Sequence, residues 1–322
     1  MIPPTETEVT ATPSSNNNNN IVIEETIQLH RDIKGHFETD ILYTNSNNTN
    51  NDVKIVVVSG NPGIVGFYVE FIKQLYFKLD QKYDIVGVSH IGHCGKLNEQ
   101  FTCEDQIEHK RIVLEYLVNT KYASQKNTVK FILIGHSVGS YISLKVLNRF
   151  KDQFTIIKQI NLFPTFRNLY DGLSPFIKLA VQNWMRAPVA SFLHYVPNFV
   201  KDTILGQVLP TDDMRVAVQH KINYWSALNI LYMAYHETLD ITKVDDECKQ
   251  VFDNRMDDLL FIYGRTDPYT PLNFFQELKA SYPNGSIELA AEGVPHAFVL
   301  SHSTTVAERV SNWIIDQLSS SS

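Results

Sequence analysis

Ser137 lies between two glycines in Gly135-His136-Ser137-Val138-Gly139, directly after the apolar run FILI. A serine hydroxyl is a weak nucleophile until a neighbouring base takes its proton, and that base needs an acid to orient it. The pentapeptide matches a nucleophile elbow, in which serine occupies a sharp turn from strand to helix. Small neighbours are needed there, because the turn strains the backbone and brings strand and helix close together. The turn also presents the hydroxyl at a helix N-terminus, where backbone N–H groups favour negative charge.

In such a layout the partners follow in the order serine, acid, histidine. His296, in EGVPHAFV, falls after the last predicted strand and before the last predicted helix. Asp267, in FIYGRTDPYTP, falls just past the preceding strand. Both loops open at the carboxyl edge of a parallel sheet, where ligands bind in open α/β folds. His296 is therefore the candidate base, and Asp267 the acid that holds it. Other residues of the right type are less well placed. His136 adjoins the serine but faces elsewhere on the turn, and His302 lies near the start of the final helix. His90 and His93 follow an earlier strand and are candidates to line the site. Asp245 and Asp246 fall in a helical insertion, from which some layouts draw the acid.

A tetrahedral oxyanion needs two backbone donors. Val138 N–H, next to the nucleophile, is the first candidate. The second comes from the loop GNPG at 60–63. Pro62 has no N–H, so Asn61 N–H is the better candidate, with Gly63 after it.

These residues need a sheet to hold them. VKIVVVSG (53–60) and VKFILIGH (129–136) are continuous apolar runs rich in β-branched residues, the mark of strands buried on both faces. IVIEETIQLH and DILYTN read as two earlier, antiparallel strands. FYVEFIKQLYFKL (67–79) has helical apolar spacing, and the helix from CEDQIEHKRI onward is capped by Thr102 with Asp105 three residues on. The alternation predicts an α/β fold with a mostly parallel sheet and helices on both faces. It fails from about 165 to 255, a helical, aromatic-rich cap, and resumes at LLFIYG (259–264). The core is thus expected over 21–164 and 256–320. Residues 1–20, rich in Pro and Asn, read as a disordered tail.

The chain has 322 residues, of which 43% are hydrophobic and 20% charged, enough for a large core. With a net charge of −7 and no basic stretch, nucleic acid is not an expected partner. The three cysteines show no CxxC spacing, which argues against a disulfide framework or zinc site and for a reducing compartment. No signal-peptide pattern, lipidation box or run of roughly 18 apolar residues is present. The expectation is a cytosolic protein, or one seated on a membrane from the cytosolic side.

With SGNPGIVGFYVEFIKQL, SHIGHCG, GHSVGSY and VPHAFV in place, the chain resembles the lipid-droplet-associated serine hydrolases of the α/β-hydrolase superfamily, over roughly residues 53–318. GxSxG is common to many esterases; its combination with GNPG-x-x-x-FY is far more specific. Position by position, the resemblance implies Ser137 as nucleophile, Asp267 as acid and His296 as base. It implies attachment to lipid droplets and endoplasmic reticulum, and hydrolysis of lipid esters, with sterol esters suggested. Dehalogenases and epoxide hydrolases of similar fold are disfavoured, since they carry aspartate at the elbow.

Residues 172–201 contain no acidic residue and interleave Lys178, Arg186 and Lys201 with Phe176, Trp184, Phe192 and Tyr195. Pro175, Pro188 and Pro197 are expected to break this segment into short pieces. Short amphipathic pieces with basic and Trp anchors suit a monotopic surface, sinking roughly 5–10 Å into the headgroup boundary. The bland reading is a lid that packs its apolar face on the core. The site as read needs no metal and no organic cofactor. Thioesterase or acyltransferase chemistry could use the same parts, and a protein that coats or tethers droplets with little turnover is the reading from a different class.

Overall fold

The strand that leads to Ser137 sits at the middle of a sheet buried on both faces. The computed structural model describes residues 21–31, 35–95, 97–209 and 211–319, so the expected tail at 1–20 lies outside the described residues. Strands β1 (Ile23–Arg31), β2 (Gly35–Thr44), β3 (Val53–Val58), β4 (Asp84–Val88), β5 (Lys130–His136), β6 (Ile156–Leu162), β7 (Leu259–Tyr263) and β8 (Ser286–Leu289) form one sheet. Its order is β1-β2-β4-β3-β5-β6-β7-β8. β1 and β2 pair antiparallel, as does β2 with β4, and every later pair is parallel.

Side chains of β5 alternate between two cores. Phe131 and Leu133 join one, with residues of α2 (Cys103–Tyr116), α3 (Val138–Arg149) and α10 (Asp246–Arg255). Ile132 and Ile134 join the other, against α1 (Val69–Lys78) and α12 (Ser303–Ser319). Burying each such side chain contributes roughly 1.5–3 kcal/mol, so β5 is held firmly from both faces. The α2 start is a full capping box, with Thr102 and Asp105 serving each other's backbone N–H.

Because β3, β5, β7 and β8 run parallel, the loops that follow them open at the same edge. Asn61, Ser137, Asp267 and His296 come from those loops.

Between β6 and β7 the chain forms α4 (Leu169–Gly172), α5 (Pro175–Ala180), α6 (Asn183–Tyr195), α7 (Asn198–Val208), α8 (Asp212–Gln219), α9 (Tyr224–Asp240) and α10. The first of the three prolines starts α5, and Pro197 caps α7, but Pro188 lies inside α6 without breaking it. This corrects the expectation of a break there. α6 packs on α9, and its Arg186 guanidinium lies 5.0 Å and 5.1 Å from the ring centroids of Tyr232 and Tyr235. These contacts carry α6 through a residue that lacks a backbone donor. α10 lies against α3, where Asp245 meets Lys145 and Tyr141.

Candidate active site

The elbow is tight in the way its glycines predict. Ser137 has φ 55° and ψ −125°, in left-handed space that a non-glycine residue occupies only under strain. A Cβ on Gly139 would sit 2.4 Å from the carbonyl oxygens of Val58 and Ser59, and one on Gly135 would sit 2.5 Å from Gly139 O. Both contacts are with backbone, so only glycine fits at either position.

The structure brings Ser137, His296 and Asp267 into one chain of hydrogen bonds. Ser137 Oγ lies 3.0 Å from His296 Nε2, and His296 Nδ1 lies 2.6 Å from Asp267 Oδ2. An ionised carboxylate only accepts, so Nδ1 carries a proton and Nε2 of the neutral ring is the acceptor for the serine hydroxyl. Asp267 also accepts from Tyr269 N–H and the Thr270 hydroxyl. Burial by itself would raise its pKa, but the hydrogen bonds from His296, Thr270 and Tyr269 and the charge of His296 outweigh burial and hold it below the usual value. The Tyr269 ring lies against the imidazole, centroids 4.7 Å apart.

A second relay runs behind the first. Gly60 N–H donates to Tyr68 Oη (2.7 Å), which lies 2.7 Å from His136 Nδ1; His136 Nε2 lies 2.9 Å from the carbonyl oxygen of His296. A carbonyl can only accept, so His136 carries its proton on Nε2 and accepts from Tyr68 on Nδ1. Burial, and then the neighbouring His296, depress the His136 pKa to about 3, which keeps the ring neutral. His136 does point away from the serine hydroxyl. Sequence reasoning missed that it fastens the backbone of His296 to the elbow and, through Tyr68, to the loop after β3. The only sequence signals were its place inside the pentapeptide and the tyrosine of GFY.

That loop packs directly on the elbow: a Cβ on Gly60 would lie 3.1 Å from Ser137 Cβ. Val138 is the first residue of α3, where the helix supplies no carbonyl for its N–H. Among the described residues, no protein acceptor meets Val138 N–H or Asn61 N–H. Gly63, the second candidate at this loop, is taken: its N–H donates to His93 Nδ1 at 2.8 Å. His90 and His93 are buried beneath the loop, and a Cβ on Gly63 would strike the His90 ring. They support the loop from below. Burial, then the Lys110 charge, lower the His93 pKa to about 3.

The remaining rivals lie in other surroundings. Asp245 is the N-cap of α10 and pairs with Lys145, Asp246 begins that helix, and His302 lies 2.8 Å from the Ser301 hydroxyl.

Residues 51–299 match the family model described as lipid-droplet associated hydrolase. A lipid droplet-associated hydrolase of Dictyostelium discoideum is 56% identical over 296 residues, covering 91% of this chain and 97% of that protein. One of Gallus gallus is 31% identical over 289 residues, covering 82% and 85%. Among solved structures, the haloalkane dehalogenase DbeA from Bradyrhizobium elkani is similar with a TM-score of 0.68 at 12% identity, covering 93% of this chain and 99% of that one. The haloalkane dehalogenase DatA from Agrobacterium tumefaciens gives 0.63 at 17% identity, covering 91% and 97%. At such identities these two likenesses speak for the α/β-hydrolase fold alone. By its family model and the length and identity of its matches, the chain belongs to the lipid droplet-associated hydrolase family.

Proposed function

We propose that this protein is a serine ester hydrolase that acts on lipid esters, sterol esters among them, at the surface of lipid droplets and endoplasmic reticulum. The observation that carries the chemistry is the continuous hydrogen bonding from Ser137 through His296 to Asp267. His296 Nε2 takes the hydroxyl proton as Ser137 Oγ attacks the ester carbonyl. The tetrahedral oxyanion is held by the N–H groups of Val138 and Asn61. His296 returns the proton to the leaving alcohol, and water then releases the acid from Ser137 by the same steps in reverse. Asp267 stabilises the imidazolium formed in each half.

The setting at a lipid surface is supported by the helices between β6 and β7. Phe176 is 72% exposed and Tyr195 80%, and Trp184, Phe192 and Phe199 are comparably open. On α6, Trp184, Phe192 and Tyr195 recur at a spacing that puts them on one face, opposite the buried Arg186 and Ala190. The exposed apolar residues continue past 201 to Ile204 and Val208 on α7. Apolar surface of this extent marks an interaction site. The family's name is consistent with a droplet as the partner.

An ester panel assayed with and without lipid emulsion tests the reading, with Ser137→Ala as the blank and a fluorophosphonate as the active-site label. Turnover and labelling by the wild type, both lost in Ser137→Ala and turnover raised by emulsion, are the expected results. The same exposed helices favour a second reading, a droplet coat with little turnover. In that case no ester is hydrolysed, and Ser137→Ala changes droplet size as the wild type does.

A further inference from the structure

Helix α9 belongs to the insertion, yet it reaches the loop after β3. Asn61 Nδ2 donates to Glu237 Oε1 at 2.7 Å and to the Ile230 carbonyl at 3.1 Å, both on α9. These two contacts join residues more than 160 positions apart in sequence. Glu237 is 4% exposed. A carboxyl buried to this degree is costly unless it is hydrogen-bonded, and the Asn61 amide supplies that bond. Its partner here is the residue whose backbone N–H meets no protein acceptor among the described residues and whose neighbour Gly60 packs close to Ser137.

We propose that Glu237 is a positioning residue: by gripping the Asn61 side chain it fixes the Asn61 N–H as an oxyanion donor and ties the placement of that donor to helix α9. The inference rests on the serine-hydrolase reading given above. Among the described residues Asn61 Oδ1 is buried without a partner, so the side chain is oriented through its amide nitrogen. That leaves the two α9 acceptors as the anchors of the loop on this side, with Tyr68 and His93 holding Gly60 and Gly63 from below. Burial of Glu237, only partly offset by the Asn61 hydrogen bond, raises its pKa to about 8. It is therefore a neutral acceptor at neutral pH and places no negative charge beside the oxyanion.

The test compares Glu237→Leu with Glu237→Gln, whose amide oxygen can still accept from Asn61. Glu237→Leu is expected to lower kcat on a short soluble ester on the order of tenfold to a hundredfold with little change in KM. Glu237→Gln is expected to stay close to wild type. Affinity for a trifluoromethyl ketone, which places an oxyanion in the same hole, should fall in step with kcat. A drop in kcat with unchanged ketone affinity, or an equal drop in Glu237→Gln, overturns the proposal. Amide exchange of residues 60–65 gives a readout independent of turnover: it should rise in Glu237→Leu and not in Glu237→Gln, and unchanged exchange also overturns the proposal. Asn61→Ala removes the grip from the other side and should reproduce the loss if Glu237→Leu does not fold. Failure of the wild type to turn over esters or bind the ketone would sink the serine-hydrolase reading, while amide exchange would still decide the grip.

Discussion

Asp267 Oδ2 lies 2.6 Å from His296 Nδ1, closer than the 3.0 Å that separates His296 Nε2 from Ser137 Oγ. The imidazole is thus held more tightly by Asp267 than by Ser137, and its tautomer is set before any substrate arrives. Asp267→Asn would present an amide and favour the wrong tautomer with little change in shape. We expect kcat to fall by roughly 10³–10⁴ at neutral pH, as the loss of an orienting carboxylate does elsewhere. Steady-state kinetics on a soluble ester checks this. A fall of less than tenfold would mean that another group orients the imidazole.

Tyr68 joins Gly60 N–H to His136 in a fully buried relay. Tyr68→Phe would leave a buried donor on Gly60 and a buried acceptor on His136. Each unpaired buried group costs about 1–3 kcal/mol. Urea denaturation should register a loss of that order. An unchanged midpoint would mean that water replaces the hydroxyl at no cost.

Gly139→Ala would press a methyl group onto the backbone oxygens of Val58 and Ser59. The strand cannot move away, because β3 is paired on both sides, to β4 and to β5. Overpacking of this kind costs about 1–3 kcal/mol or more. The variant should lose solubility or unfold at clearly lower urea. Wild-type stability and activity in Gly139→Ala would contradict the tight elbow.

Trp184→Ser combined with Phe192→Ser removes two aromatic rings from the open face of α6. Fully burying one such side chain is worth roughly 1.5–3 kcal/mol, and partial immersion about half that. Flotation with phosphatidylcholine-coated triacylglycerol emulsion should therefore detect binding weakened on the order of tenfold or more. Hydrolysis of a soluble ester should be unchanged. Undiminished flotation would move the lipid contact to another face.

The sheet was legible because β3 and β5 bury both faces, which leaves runs such as IVVV and FILI without a polar break. The loops carrying Ser137, Asp267 and His296 could be read from the order of strand and helix, since each follows a parallel strand. The supports of the site were not legible. Glu237 lies 176 positions from Asn61, and Tyr68 lies 68 from His136. No local pattern records such pairs, since they exist only once the sheet has folded. The same holds for Gly63, whose N–H looked free in GNPG and is taken by a histidine 30 positions on. Pro188 was read from its intrinsic effect on a helix, which the contacts of α6 with α9 override.

Glu237 also predicts how stability varies with pH. Its folded-state pKa is raised to about 8, first by burial and then by the charge of Asp240, against the hydrogen bond from Asn61. In the unfolded chain the carboxyl loses its proton near the ordinary glutamate value, roughly 4.3. Below that value both states are protonated and the contribution to stability is complete. Between there and about 8 only the unfolded state releases the proton, so stability falls as pH rises, by about 1.4 kcal/mol per unit at most. Above about 8 both states are ionised and the loss is complete. Glu237→Gln cannot titrate at this position, so its stability should gain on the wild type from pH 5 to pH 8, by on the order of a few kcal/mol, and then stay level. Urea unfolding of both proteins across that range measures the difference. Parallel curves would mean that Glu237 is ionised in the folded protein and that the carboxyl gripping Asn61 is charged.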